Sequence, residues 1–192
     1  MSTPMNRLTD REIDEIARRI AADIRGGQAL LPVPSVVDGQ SLGVFATVSE
    51  CVSAAAAAQK QFVALPLSTR GKIIDAIRRS MLDNCETLAK AAFDETGYGR
   101  YEDKVVKNRL VTERTPGIED LAPTAVSGDH GLELTEPAPF GVIGAITPVT
   151  NPTSTIICNS IGMLAAGNSV VFNVHPYAKN CCMQTIALLN KA

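Results

Sequence analysis

The order of elements written between Pro139 and Lys179 constrains the fold of this chain more than any other feature. Gly141-Val142-Ile143-Gly144-Ala145-Ile146 is a short apolar run with β-branched residues, bounded by Pro139 and Pro148. Such a run predicts a strand buried on both faces of a parallel sheet. Pro152 stands where a first helical turn tolerates proline, and Ile156, Ile157, Ser160, Met163 and Leu164 follow at helical spacing. Gly167-Asn168 predicts the left-handed turn that closes this helix. Residues 169–174 then predict a second buried strand, ended by Pro176. Strand, helix and strand in that order form a βαβ unit, so the chain is expected to be α/β, with half of a nucleotide site at its strand ends.

Composition narrows the function classes. A 192-residue chain with 45% hydrophobic residues and a mean hydropathy of +0.09 suits a soluble globular protein with a core of its own. Polar residues interrupt every apolar stretch well short of the ~18 positions of a membrane helix. No signal-peptide apolar core stands at the N-terminus, so export is not expected. A net charge of −2 and a pI near 5.7 offer no basic face to a phosphate backbone, which argues against nucleic acid. Five cysteines in an unexported chain suggest a reducing cytosol. Cys51, Cys85 and Cys158 lie among apolar helical neighbours and are expected to be inert packed thiols. Cys181 and Cys182 point to different faces of one helix, and neither His130 nor His175 stands at zinc-like spacing from them. No metal site is expected.

Residues 1–25 form a separate unit. Thr9-Asp10-Arg11-Glu12 reads as a capping box, after which Ile13, Ile16, Ala17, Ile20, Ala21 and Ile24 trace an apolar stripe up to Gly26-Gly27. Residues 26–42 have linker composition. A body over residues 43–192 follows. There Ser49 is the expected cap of a helix through the alanine run to Ala64. Ser68 opens a longer one lined by Ile73, Ile74, Ile77, Met81, Cys85, Leu88 and Ala92, stopped by Glu95-Thr96-Gly97. Val105, Val106, Leu110, Val111 and Ile118 predict a further helix over 101–122, broken near Pro116, and residues 124–136 turn extended.

Strand, Pro148-Val149-Thr150-Asn151-Pro152, helix, Ala165-Ala166-Gly167-Asn168, strand, Asn173-Val174-His175-Pro176 resembles the NAD domain of the aldehyde dehydrogenase superfamily. The Thr-Asn-Pro and His-Pro variants resemble its CoA-acylating branch, which turns an aldehyde, CoA and NAD into an acyl-CoA and NADH. The resemblance runs from about Gly43 to Ala192. It implies the N-terminal part of an aldehyde dehydrogenase fold, a helical region followed by the βαβ unit of an incomplete Rossmann-like NAD-binding domain. It further implies that the nucleophilic cysteine and catalytic domain lie downstream, so the 192-residue chain is expected to be inactive by itself. Residues 124–136 would begin an oligomerisation hairpin, giving homo-oligomers. Residues 1–25 would be an encapsulation tag read by the shell of a bacterial microcompartment, although packing of that helix on its own domain is the simpler structural use. A membrane-surface role suits its mixed acidic and basic face poorly. The rival reading is a noncatalytic truncated protein that docks on a shell or on a full-length relative. A bifunctional aldehyde-alcohol dehydrogenase is a third, against which the separate N-terminal helix argues.

The same resemblance places site residues. Thr150 occupies the position of the oxyanion-supporting amide of hydrolytic relatives, and Asn151 follows it. Either residue is a candidate for that role, and the structural alternative is that Asn151 caps the helix begun by Pro152. Ile146, Thr147 and Pro148 would line the cofactor site through their backbone. Asn173 stands where relatives keep a ribose-binding lysine. His175 would stack on adenine, meet a CoA phosphate, or be structural.

Overall fold

The computed structural model describes residues 36–37 and 40–192. The N-terminal helix expected over 1–25, and most of the linker, lie outside the described residues. The end of the linker forms a short antiparallel ladder of β1 (Val36–Val37) with β2 (Gln40–Ser41).

Helix α1 (Val48–Phe62) starts two residues earlier than a cap at Ser49 would place it. Its cap is Thr47, whose Oγ1 accepts from Glu50 N at 3.2 Å while Glu50 Oε2 accepts from Thr47 N at 3.2 Å. This reciprocal capping box satisfies two first-turn donors. The expected long helix is two helices, α2 (Leu67–Asp83) and α3 (Cys85–Thr96). They meet at Asn84, whose side chain donates back to the Ser80 carbonyl at 2.8 Å. That local bond competes with helix continuation. The apolar face survives the break, with Ile74, Ile77, Met81, Cys85, Leu88 and Ala92 all buried. Gly97 closes α3 with φ +65°.

Helix α4 (Tyr101–Arg114) ends before Pro116 and is followed by a 3₁₀ turn, Ile118–Leu121. Its orientation differs from the apolar pattern. Val106 and Leu110 are exposed, whereas Lys104, Asn108 and Thr112, four residues apart, form the buried face. Polar groups win this face because each finds a bond there. Asn108 Nδ2 donates to Cys85 O at 3.3 Å, and Thr112 Oγ1 donates to Asn108 O at 2.7 Å.

Strands β3 (Thr124–Gly128) and β4 (Gly131–Thr135) pair as an antiparallel hairpin, with Thr124 opposite Thr135 and Gly128 opposite Gly131. Its apolar residues Val126, Leu132 and Leu134 are exposed.

The βαβ unit consists of β5 (Val142–Ile146), α5 (Pro152–Ala165) and β6 (Ser169–Asn173), with the strands parallel and Val142 paired with Ser169. A second 3₁₀ turn, Pro176–Ala178, leads into α6 (Lys179–Lys191). Burial on both faces of β5 is not found. Only Ala145 of this strand is buried, and Ile146 is 84% exposed. Among the described residues β5 pairs with β6 alone, so its other edge and part of its surface are left open. Helix α5 is the centre of the packing. Ile157, Ile161 and Ala165 meet Ile74, Ile77, Met81 and Leu88 on one side. Ile156 joins Ala92, Ala178, Cys181 and Cys182 on another.

Candidate functional site

The turn Gly167-Asn168 aligns the two strands of the unit. Gly167 has φ +84°, a conformation glycine adopts without strain. Asn168 Oδ1 accepts from Phe140 N at 2.7 Å and Gly141 N at 2.9 Å, and Nδ2 donates to Met163 O at 3.2 Å. One buried side chain thereby ties the entry of β5 to the end of α5. Gln59 Nε2 donates to Gly167 O at 3.1 Å, and Arg70 Nη1 to Ala165 O at 3.0 Å. Gln59 and Arg70 were not apparent from the sequence, because their partners are backbone groups roughly a hundred residues away.

At the opposite end, the C-terminal strand ends carry the predicted cofactor residues. Ile146 pairs with Asn173, and Thr147 N donates to Asn173 O at 3.1 Å. Ile146–Pro148 and Asn173–His175 are therefore brought to one sheet end. Thr147 is buried, and its Oγ1 has no hydrogen-bond partner among the described residues. Asn173 is exposed. His175 Nδ1 accepts from Tyr177 N at 3.2 Å, capping the 3₁₀ turn, and its ring lies 5.4 Å from that of Tyr177. A neutral imidazole that accepts at Nδ1 carries its proton on Nε2.

Thr150 and Asn151 follow at the start of α5, braced by α4. Lys104 Nζ donates to Thr150 O at 3.3 Å, Lys107 Nζ to Asn151 Oδ1 at 3.0 Å, and Thr153 Oγ1 to Asn108 Oδ1 at 2.9 Å. Lys104 is buried, and burial, helped by the Lys107 charge, lowers its ammonium pKa. Asn151 is the N-cap residue by position, and its carbonyl accepts from Thr155 N at 3.1 Å. Its side chain makes no capping bond. The capping alternative is corrected on that point, since Lys107 holds the amide oxygen that a cap would use. The bracing residues Lys104 and Asn108 were legible only as a four-residue polar spacing in a helix with a competing apolar pattern.

Glu95 does more than precede a closing glycine. Its Oε1 accepts from Asn180 N at 2.8 Å and its Oε2 from Cys181 N at 2.7 Å, so a carboxylate from α3 caps the first turn of α6. Negative charge is favoured at that helix end. The adjacent thiols are packed beneath it. Cys181 and Cys182 are buried, and contact with Cys182, then burial, hold the Cys181 thiol well above its ordinary pKa. Burial likewise raises Cys51 and Cys85. The thiolate is the reactive form. Iodoacetamide should therefore label half-buried Cys158 under native conditions and reach Cys181 and Cys182 only in denaturant. Mass mapping of native labelling at Cys181 would contradict this. Among the described residues no group of three or more His, Cys, Asp or Glu is placed to hold a metal ion, and no helix is long and apolar enough to cross a membrane.

Residues 36–192 match the Aldehyde dehydrogenase family. The acetaldehyde dehydrogenase (acetylating) of Bilophila wadsworthia is 46% identical over 184 residues, covering 95% of this chain and 38% of that protein. The propanal dehydrogenase (CoA-propanoylating) of Salmonella typhimurium is 43% identical over 180 residues, with 94% and 38% covered. The crystal structure of Rhodopseudomonas palustris propionaldehyde dehydrogenase, with bound CoA and an acylated cysteine, superposes with a TM-score of 0.76 at 54% identity. It covers 79% of this chain and 35% of that one. A propionaldehyde dehydrogenase from the Clostridium phytofermentans fucose utilisation microcompartment gives the same TM-score and coverage at 51% identity. The chain thus spans a little over a third of the length of these relatives. The ordered Thr-Asn-Pro turn, the Gly-Asn tie and a match over most of the sequence agree on one conclusion, that this chain belongs to the aldehyde dehydrogenase family.

Proposed function

We propose that this chain is the N-terminal portion of a CoA-acylating aldehyde dehydrogenase, in which an aldehyde, CoA and NAD give an acyl-CoA and NADH. The observation that carries the reading is the Thr150-Asn151-Pro152 turn, braced by α4 at the C-terminal end of β5, in a chain 46% identical to an acetylating relative. In this reading a cysteine thiolate, contributed beyond Ala192, attacks the aldehyde carbonyl, and the acyl group later passes to the CoA sulfur. Asn151 lends an N–H to the oxygen that becomes negative in that attack. NAD supplies the hydride acceptor. The strand ends fit part of its site. Ile146 and Asn173 are exposed side by side, the Asn173 amide suits a ribose hydroxyl, and the Thr147 hydroxyl is buried with no partner among the described residues. Specificity for NAD over NADP follows from the family resemblance alone.

Two further roles belong to the same proposal. The exposed Val126, Leu132 and Leu134 of the hairpin serve homo-oligomerisation. Residues 1–25 dock on a microcompartment shell, placing the protein in the cytoplasm inside such a compartment. That placement is supported by relatives from microcompartments. The second reading is a noncatalytic interaction protein acting through residues 1–25, and the apolar stripe of Ile13, Ile16, Ile20 and Ile24 motivates it.

Intact mass of the protein isolated from its own cells, followed by an assay of NADH formation from propionaldehyde, CoA and NAD, separates the two. A mass well above 20.3 kDa with NADH formation is expected for the enzyme. A mass of 20.3 kDa without turnover, and loss of shell co-sedimentation on deleting residues 1–25, would establish the interaction protein instead.

A further inference from the structure

We infer that Lys107 is a positioning residue that aims the Asn151 amide, and so makes Asn151, in preference to Thr150, the oxyanion donor; this rests on the acylating reading above. The geometry is specific. An ammonium group has only donors, so the Asn151 atom 3.0 Å from Lys107 Nζ is the carbonyl oxygen Oδ1. Fixing Oδ1 toward α4 turns Nδ2, with both its N–H bonds, away from α4. No acceptor meets Nδ2 among the described residues. The same contact removes the competing use of this side chain, because Oδ1 is no longer available to cap α5, and no side-chain cap is formed.

Polarisation acts in the same direction. The Lys107 ammonium donating to Oδ1 draws electron density from the amide nitrogen and makes its N–H bonds better donors. Thr150 is held differently. Its backbone carbonyl, not its hydroxyl, is fixed by Lys104, and its side chain lies exposed with no hydrogen-bond partner among the described residues. Two lysines one helical turn apart on α4 thus divide the work, Lys104 setting the turn and Lys107 setting the donor. Lys107 is exposed, so its bond contributes little to stability. Substitutions there test orientation without unfolding the protein.

The test uses the complete polypeptide that carries residues 1–192, assayed for NADH formation from propionaldehyde, CoA and NAD. Asn151→Ala should lower kcat by about 10²- to 10³-fold, the usual cost of one oxyanion donor. Lys107→Met should lower kcat roughly 10- to 100-fold through misplacement of that donor. The KM for aldehyde should change little in both, because the donor acts on charge that develops after binding. Lys107→Arg, which still donates to Oδ1, should restore most of the rate. In an Asn151→Ala background, Lys107→Met should have no further effect, since the two residues act as a unit. A merely structural Lys107 would give additive losses and a lowered melting temperature. Additivity, or a Lys107→Met enzyme as fast as wild type, overturns the inference while the functional reading stands. A complete wild-type protein that forms no NADH overturns both.

Discussion

Ile157→Ala is expected to reduce the free energy of unfolding by about 3–4 kcal/mol, as found for large-to-small changes at fully packed sites. Ile157 is fully buried on the face of α5 that meets Ile74, Ile77, Met81 and Leu88, drawn from both α2 and α3. Removing its side chain beyond Cβ forfeits transfer free energy and leaves a cavity that three helices cannot close together. A loss of this size is a large part of the 5–15 kcal/mol typical of a domain. Ile157→Val, which removes one methyl group, should cost only about 1 kcal/mol. Urea unfolding followed by circular dichroism measures both. An Ile157→Ala midpoint equal to that of Ile157→Val would show that α5 is not the centre of the packing.

The second large effect is expected of a polar residue. Asn168→Ala should cost about 2–4 kcal/mol, because it strands two backbone donors, Phe140 N and Gly141 N, that share the single acceptor Oδ1. Asn168→Asp keeps that acceptor, at the cost of the Nδ2 bond and of a carboxylate oxygen set against Met163 O, a carbonyl that still accepts from the residue 168 N–H at 3.0 Å in the native chain. It should therefore be the milder change. Hydrogen exchange adds a local readout, with β5 amides losing protection in Asn168→Ala before those of α2. Equal destabilisation by the Ala and Asp substitutions would mean that the acceptor is not what holds the entry of β5.

The βαβ unit was legible because each of its steps is local. Pro152 begins α5, Gly167 at φ +84° ends the turn beyond it, and β6 runs to Asn173 ahead of Pro176. The capping box of α1 was equally available, since Thr47 and Glu50 stand at the required spacing, yet Ser49 inside the same turn drew the assignment. The orientation of α4 was not available. Its apolar residues Val106 and Leu110 face outward because Lys104 and Asn108 have acceptors on the Thr150–Thr153 turn and α3, elements whose positions no periodicity within α4 can encode.

The candidate site divides in the same way. The residue types at the strand ends, Ile146 to Asn151 and Asn173 to His175, were apparent from their order along the chain, and so was the family resemblance they carry. Which atom of each side chain is committed was decided only on folding. His175 gives Nδ1 to the backbone of Tyr177, Asn151 gives Oδ1 to Lys107, and Glu95 gives both oxygens to the start of α6. By itself the sequence determined the succession of strand, turn and helix, because backbone preference and hydrophobic spacing act over a few residues. The tertiary structure decided which polar atoms are bonded and which remain to meet a ligand, because buried donors and acceptors must find partners wherever the fold brings them.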